Sequence, residues 1–164
     1  MDFVPIPEDI FSCLCMDFVQ FPLCKDLDDS LVDSVLVVVC RLSGYVLGIP
    51  CRNDGLTAEK LAALYLRYVV GTFVIPHEIM SDCDHLINSR FMNTLCAMSG
   101  VTQHTSIVYR PRGNGRAETA ARLVIDMLRR ALADMPTTWT QALPWALWHL
   151  NELPGVDGSM LHTR

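Results

Sequence analysis

The chain has 164 residues, of which 51% are hydrophobic and 19% are charged, and its formal net charge at pH 7 is −5. This length and composition suit one folded domain with a single core and exclude an intrinsically disordered chain. The longest apolar candidate for a membrane span, 61–76, is interrupted by Arg67. No basic patch precedes an apolar stretch at the N-terminus, so we expect no secretory signal.

The charges are distributed unevenly along the chain. Residues 1–34 hold eight acidic residues and one basic residue, Lys25, whereas residues 101–134 hold six arginines and three acidic residues. A local basic stretch can bind phosphate even in a chain that is acidic overall. The second segment is therefore the candidate nucleic-acid contact.

The seven cysteines are scattered and form no CxxC pair. Several lie in apolar runs, where cysteine behaves as a small hydrophobic residue. We expect a reducing, intracellular compartment.

Apolar, β-branched runs alternate with segments of helical periodicity. The run 33–40 is typical of a central strand, and Thr57 is a candidate N-cap with Lys60 at the third helical position. The predicted strands span 10–19, 33–40, 45–50, 74–80 and 101–107, and the predicted helices span 58–70, 88 or 89–98, 116–133 and 137 or 138–151.

This order, β-β-β-α-β-α-β-α-α, predicts an α/β fold. Three consecutive strands followed by alternation indicate a mixed five-stranded sheet with helices on both faces. It is also the order of the ribonuclease-H-like fold.

Three carboxylates occupy unusual places in this pattern. Asp17 lies inside the first strand, Asp82 follows the fourth, and Glu118 lies in the first turn of the long helix. A charge inside a strand is costly unless it is paired or bound to metal, and clustered carboxylates need a cation. Oxygen ligands without histidine or cysteine favour Mg²⁺ or Mn²⁺, and two such ions support phosphodiester chemistry.

Each acid also has an ordinary structural explanation. Asp17 can be a solvated carboxylate on an edge strand, and Asp82 can be a turn or cap residue. Glu118 can form an ion pair with Arg122 one helical turn later. The metal hypothesis therefore depends on the residues around these acids.

Those surroundings resemble the integrase core of gypsy-type LTR retrotransposons and retroviruses. Five segments carry the resemblance in the family's order: CMDFVQFP (15–22), SVLVVVCRLS (34–43), IMSDCDHLINSRF (79–91), YRPRGNGRAE (109–118) and WTQALPWA (139–146). They are similar to the family patterns MDFI..LP, ILVVVDRFS, IVSDRGPQFTSKF, YHPQTDGQTE and W...LP.A. The 35 residues between Asp82 and Glu118 also match the family spacing.

The resemblance implies that Asp17, Asp82 and Glu118 form a catalytic triad that binds Mg²⁺ or Mn²⁺, with two ions expected. It also implies DNA as the partner, both element ends and target, with possible association of the cores through late helices that include Trp145 and Trp148. Action on chromosomal DNA would place the protein in the nucleus.

Arginines surround the glycines of the segment before the long helix, which suits phosphate contacts. Tyr109 can stack on an unpaired base. The ordinary alternative is a solvated loop. The candidate DNA-binding residues are Tyr109, Arg110, Arg112, Asn114, Arg116 and Arg122.

The sequence also departs from the family pattern. Ala121 stands where an Asn often positions metal or DNA, and Cys40 stands where many relatives carry Asp. We expect residues 1–10 to be a lead-in and 11–164 to be the core domain, shortened at its C-terminal end, without the family's flanking zinc-binding and basic domains.

Three functions follow from these observations. The first is a polynucleotidyl transferase that processes DNA 3′ ends and joins them to target DNA. The second is a decayed or domesticated module that binds or assembles without catalysis, which Ala121 and the acidic net charge favour. The third, a hydrolytic nuclease of the same fold, lacks the further carboxylate that such enzymes usually carry.

Overall fold

The computed structural model describes residues 9–73, 75–81, 90, 91, 93–95, 97, 98, 106–108, 115–134 and 138–152. Their architecture is α/β, which confirms the predicted class. The elements are β1 (Cys13–Lys25), β2 (Leu31–Cys40), β3 (Val46–Cys51), α1 (Ala58–Tyr65), a π-helical turn (Leu66–Val70), β4 (Glu78–Ser81), β5 (Ser106–Val108), α2 (Gly115–Asp134) and α3 (Trp139–Glu152). The described residues between 90 and 98 are also helical.

The strands form one mixed sheet in the order β3-β2-β1-β4-β5. The first three strands pair antiparallel, while β4 runs parallel to both β1 and β5. This arrangement places β1 at the centre, where strands of both directions meet.

Side-chain alternation along the central strands buries both faces of the sheet. On β1, Cys13, Cys15 and Val19 enter the core under α2 and α3. Leu14 and Met16 enter the core under α1. The helices therefore cover both faces, and the nearly continuous apolar run of β2 follows from burial on both sides.

Helix α3 is fastened to the sheet by polar contacts at both ends. At its start, the Trp139 Nε1–H donates to the Pro22 carbonyl at 2.8 Å, and the Thr140 hydroxyl donates to the Lys25 carbonyl at 3.2 Å. At its end, the Asn151 amide accepts from the Val46 N–H at 2.8 Å and donates to the Val46 carbonyl at 2.9 Å.

Close packing at Gly48 brings the middle of α3 onto β3. A Cβ atom at this position would lie 3.0 Å from a terminal carbon of Leu147. The missing side chain is thus what lets the helix approach the strand.

Two predicted boundaries were wrong in instructive ways. β1 was predicted at 10–19 but spans Cys13–Lys25 and continues through Pro22. Its pairing with β2 is irregular between Gln20 and Cys24, so Pro22 lies where no regular ladder bond is needed.

The helix predicted at 58–70 begins as expected, since the Thr57 hydroxyl accepts from the Lys60 N–H at 3.3 Å. Its α-helical part ends at Tyr65, and a π-helical turn follows, which the Gly71 N–H closes on the Leu66 carbonyl at 2.8 Å. Hydrophobic periodicity does not distinguish the two helix types.

The described cysteines agree with their prediction as small hydrophobic residues. Cys13, Cys15, Cys40 and Cys51 are buried, Cys24 is half-buried, and none of the five forms a disulfide within the described residues. Burial raises the pKa of Cys51 to about 11, so its thiol stays protonated at neutral pH.

The helices in the described part of the chain are too short or too polar to cross a bilayer.

The Asn151 contact gives a stability prediction. Replacing Asn151 by Ala should lower the free energy of unfolding by about 1–3 kcal/mol, because both backbone groups of the buried Val46 lose their partner. Denaturant unfolding measures this value. Glu152→Ala, an exposed neighbour on the same helix end, is the matched control. Equal stability of both variants would show that the side-chain bridge contributes nothing.

Candidate functional site

The direction of the backbone groups along β1 follows from two hydrogen bonds at its start. The Arg41 N–H donates to the Cys13 carbonyl at 3.0 Å, so the odd-numbered residues of this part of β1 bond to β2. The Ser12 carbonyl accepts from the His77 N–H at 2.8 Å on the other side. The even-numbered residues therefore direct their backbone groups towards β4.

Within the described residues, β1 extends beyond its parallel neighbour. β4 pairs with β1 only from Cys13 to Met16, and the last pair joins Met16 to Ser81. Asp17 is thus the first residue of β1 past this pairing, while it remains paired with Val37 of β2 on its other side. The predicted acid inside a strand lies where one neighbouring strand of the described structure has ended.

The Asp17 carboxylate is partly buried and fixed locally. Its Oδ1 accepts from the Phe18 N–H at 2.8 Å. Phe18 is even-numbered, so this N–H points to the β4 side, where no strand of the described structure pairs with it. The carboxylate satisfies that donor and is oriented by it at the same time.

A cleft of about 340 Å³ lies between this part of β1 and α2. Its lining residues are Asp17, Phe18, Val19, Gln20, Ala121, Arg122 and Ile125. The cleft therefore lies between Asp17, the first predicted acid, and α2, the helix that carries Glu118.

Glu118 lies on the helix stripe that faces this cleft. Ala121, Arg122 and Ile125 follow it by three, four and seven residues, the spacing at which positions share one helix face. The backbone at position 118 is thus one turn before the cleft on α2; its side chain lies outside what the structure describes.

The structure describes the remaining predicted site residues to different extents. Asp82 follows Ser81 directly in the chain but lies outside the described residues, as do Tyr109, Arg110, Arg112 and Asn114. Arg116 is described only as a backbone position in the first turn of α2. Arg122 is exposed and lines the cleft. The convergence of Asp17, Asp82 and Glu118 therefore stays a prediction.

Sequence reasoning missed Gln20 and Ile125, which also line the cleft. The sequence pattern gave no signal for these two residues. Their place in the cleft depends on the extension of β1 beyond β4 and on the packing of α2 across β1. Ala121, identified as a departure from the family pattern, is buried in the cleft wall at 6% exposure.

The described metal-donor group, the Asp17 carboxylate, suits a hard divalent cation. Asp17 contributes a carboxylate that is partly withdrawn from water, and the described residues that line the cleft include no histidine or cysteine. Within the described residues no group of three potential metal-binding side chains occurs.

The bond between Asp17 and Phe18 predicts a difference between two variants. In metal-free buffer, Asp17→Asn should keep an acceptor for the Phe18 N–H, whereas Asp17→Ala should lose it and about 1 kcal/mol of stability. Thermal and denaturant melts of both variants measure the difference. If the two variants were equally stable, the bond would not hold the strand end.

Comparison with known proteins was made in sequence and in structure. The Transposon Tf2-3 and Tf2-4 polyproteins of Schizosaccharomyces pombe are each 29% identical to this chain over 137 residues. The match covers 83% of this chain and 10% of each polyprotein, so the chain spans about a tenth of these relatives. No family model matches the sequence.

Three of the solved structures that share this fold are retroviral integrases or parts of a retroviral intasome. The integrase catalytic core domain of BIV superposes with a TM-score of 0.65 at 25% identity, covering 92% of this chain and 90% of that one. The HTLV-2 integrase catalytic core domain, solved in complex with magnesium, gives 0.64 at 19% identity, covering 92% and 93%. A chain of the simian T-cell lymphotropic virus intasome gives 0.69 at 21% identity, covering 92% and 52%.

The fold is therefore ribonuclease-H-like. The resemblance that the sequence motifs indicated is confirmed: this chain is related to retrotransposon polyproteins and has the fold of the retroviral integrase catalytic core.

Proposed function

We propose that the chain is the catalytic core of a gypsy-type LTR-retrotransposon integrase, a metal-dependent polynucleotidyl transferase that processes DNA 3′ ends and joins them to target DNA. The position of the Asp17 carboxylate supports this proposal. It lies just beyond the last described residue pair of β1 and β4 and is oriented by the Phe18 N–H. It lines a cleft whose opposite wall is formed by residues on the same face of α2 as position 118.

In this proposal Asp17, Asp82 and Glu118 hold the metal. Asp17 is supplied by β1, and Asp82 follows the strand β4 whose last residue, Ser81, pairs beside Asp17 at Met16. Glu118 is supplied by the first turn of α2. Bound Mg²⁺ or Mn²⁺ would supply the activation of the attacking oxygen and the stabilisation of the leaving oxygen. One related core, that of HTLV-2, was solved with magnesium.

DNA binding is assigned to the basic segment around the start of α2. Arg122 lies in the cleft, and Arg110, Arg112 and Arg116 precede it in the chain. Guanidinium groups bind phosphate oxygens without reading sequence, while Tyr109 and Asn114 provide stacking and polar contacts. The net charge of −5 makes the affinity of this core alone weak and strongly dependent on salt.

A joining assay tests the proposal. The protein is incubated with a fluorescent duplex oligonucleotide bearing a recessed 3′-hydroxyl and with supercoiled plasmid, and joined product is measured. We expect product only with Mg²⁺ or Mn²⁺, and a loss of more than about 100-fold in Asp17→Asn. The carboxyl of Asp26 also accepts from the next N–H, that of Leu27, at 2.8 Å, but it lies at the hairpin end. Asp26→Asn is therefore a matched control that should retain activity.

Equal activity of Asp17→Asn and wild type would contradict the proposal. A wild-type protein that binds DNA but joins none under either metal would favour the second candidate function, a non-catalytic binding or assembly module. The specific observation behind that candidate is Ala121, which places a methyl group in the cleft wall where the family pattern has an amide.

An Asn at position 121 distinguishes further between the catalytic and the non-catalytic function. Ala121→Asn should raise the joining rate about fivefold, because one regained hydrogen bond contributes about 1 kcal/mol. Ala121→Leu, which has a branched side chain of similar shape but no amide, should not raise it. The rates are measured in the same joining assay after melts confirm folding. A decrease with Asn and Leu alike would show that the wall lacks room for either side chain.

A further inference from the structure

The cleft extends along β1 well past Asp17. Gln20 lies three residues further on the strand, about 10 Å away at the rise of an extended chain. A phosphate held beside Asp17 and a phosphate held beside Gln20 are therefore different groups.

The backbone of Gln20 faces this far end of the cleft. Gln20 pairs with Ser34 of β2 and is even-numbered, so its N–H and carbonyl point away from β2, towards the β4 side. No strand in the described part of the chain pairs with it there. Among the described residues, the Gln20 N–H has no hydrogen-bond partner, in contrast to the Phe18 N–H, which donates to Asp17.

Arg122 supplies a positive charge to the same cleft. Its side chain is exposed, and no ion pair joins it to an acid of the described residues, whereas Arg129 on the same helix lies 3.7 Å from Asp126. Apart from Asp17, the other described residues that line the cleft are apolar: Phe18, Val19, Ala121 and Ile125. One donor, one cation and an apolar wall suit a phosphate attached to a deoxyribose.

We infer that the Gln20 backbone N–H and the Arg122 guanidinium form a second phosphate subsite, which binds a DNA phosphate flanking the one that reacts at Asp17. This inference rests on the proposed function. The subsite fixes the register of the strand in the cleft by its main chain and one arginine, and it reads no base.

Proline substitution tests the backbone donor directly. Gln20→Pro removes the N–H, and it spares the β1–β2 ladder because this N–H does not point to β2. Gln20→Ala keeps the N–H and removes only the side chain. Binding of a fluorescent 20-base-pair duplex is measured by anisotropy at several salt concentrations, with melts of each variant.

We expect Gln20→Pro to weaken binding about tenfold, and at least fivefold more than Gln20→Ala, since a hydrogen bond to a charged group contributes roughly 1.5 kcal/mol. Its salt dependence should remain that of wild type because no charge is lost. Arg122→Ala should lower the logarithmic salt slope by about one. In the double variant the two losses should be less than multiplicative, as for groups that bind one phosphate. Arg52→Ala, which removes an equal charge beyond β3, is the control.

Substituted DNA gives a second measurement that does not depend on the folding of Gln20→Pro. Neutral methylphosphonates are placed at one phosphate at a time near the recessed 3′ end. One flanking position should weaken wild-type binding clearly more than it weakens binding by Arg122→Ala, which retains only the Gln20 N–H at this phosphate. Equal losses in Gln20→Pro and Gln20→Ala, or a position that weakens both proteins alike, would overturn the subsite. Failure of the wild type to bind any duplex at low salt would instead overturn the proposed function.

Discussion

In the described structure the pairing of β1 changes at Met16, and the proposed site depends on that change. Up to this residue β1 is bonded on both edges and buried on both faces, a setting in which an ionised carboxylate would be costly. From Asp17 onward β2 still holds one edge, while the other borders the cleft. The strand can therefore carry a charge one residue after its most buried segment, and the Phe18 N–H orients that charge.

The helices keep the cleft in a fixed shape. α2 packs across β1 with Val124 and Leu128 buried, so its cleft-facing stripe is set by the core beneath it. α3 packs against α2 and forms hydrogen bonds to β1 through Trp139 and to β3 through Asn151. These contacts lie outside the cleft, so the contacts that stabilise the fold do not involve the charged residues of the site. Trp145 and Trp148, by contrast, are 37% and 59% exposed, whereas Trp139 is buried.

Much of this architecture could be predicted from the sequence because its physical signals are local. The β-branched run of β2, the Thr57 cap and the periodicity of α2 each specify an element with few alternatives. The extension of β1 through Pro22 could not be predicted, because a proline is tolerated only where the partner strand leaves its position unbonded, which is a tertiary property.

The positions of two candidate site residues along the chain could be predicted, while their metal-binding role stays a prediction. Asp17 was identifiable as a charge inside a strand, and Glu118 by its place at the start of a helix; the comparison proteins agree with the family from which their roles were inferred. The position of Gln20 at the cleft could not be predicted, because the direction of its backbone groups depends on strand pairing and not on residue type. The cleft wall at Ile125 likewise depends on how α2 crosses β1.

We propose that Asp17, Asp82 and Glu118 lie around one metal site at the end of β4. Crystals soaked in Mn²⁺ and measured near the manganese absorption edge test it most directly, since the anomalous signal locates the ion without reference to activity. We predict a peak in contact with a carboxylate oxygen of Asp17 and shared with Asp82 and Glu118. A peak bound elsewhere, or a manganese-soaked crystal with Glu118 directed away from Asp17, would contradict it.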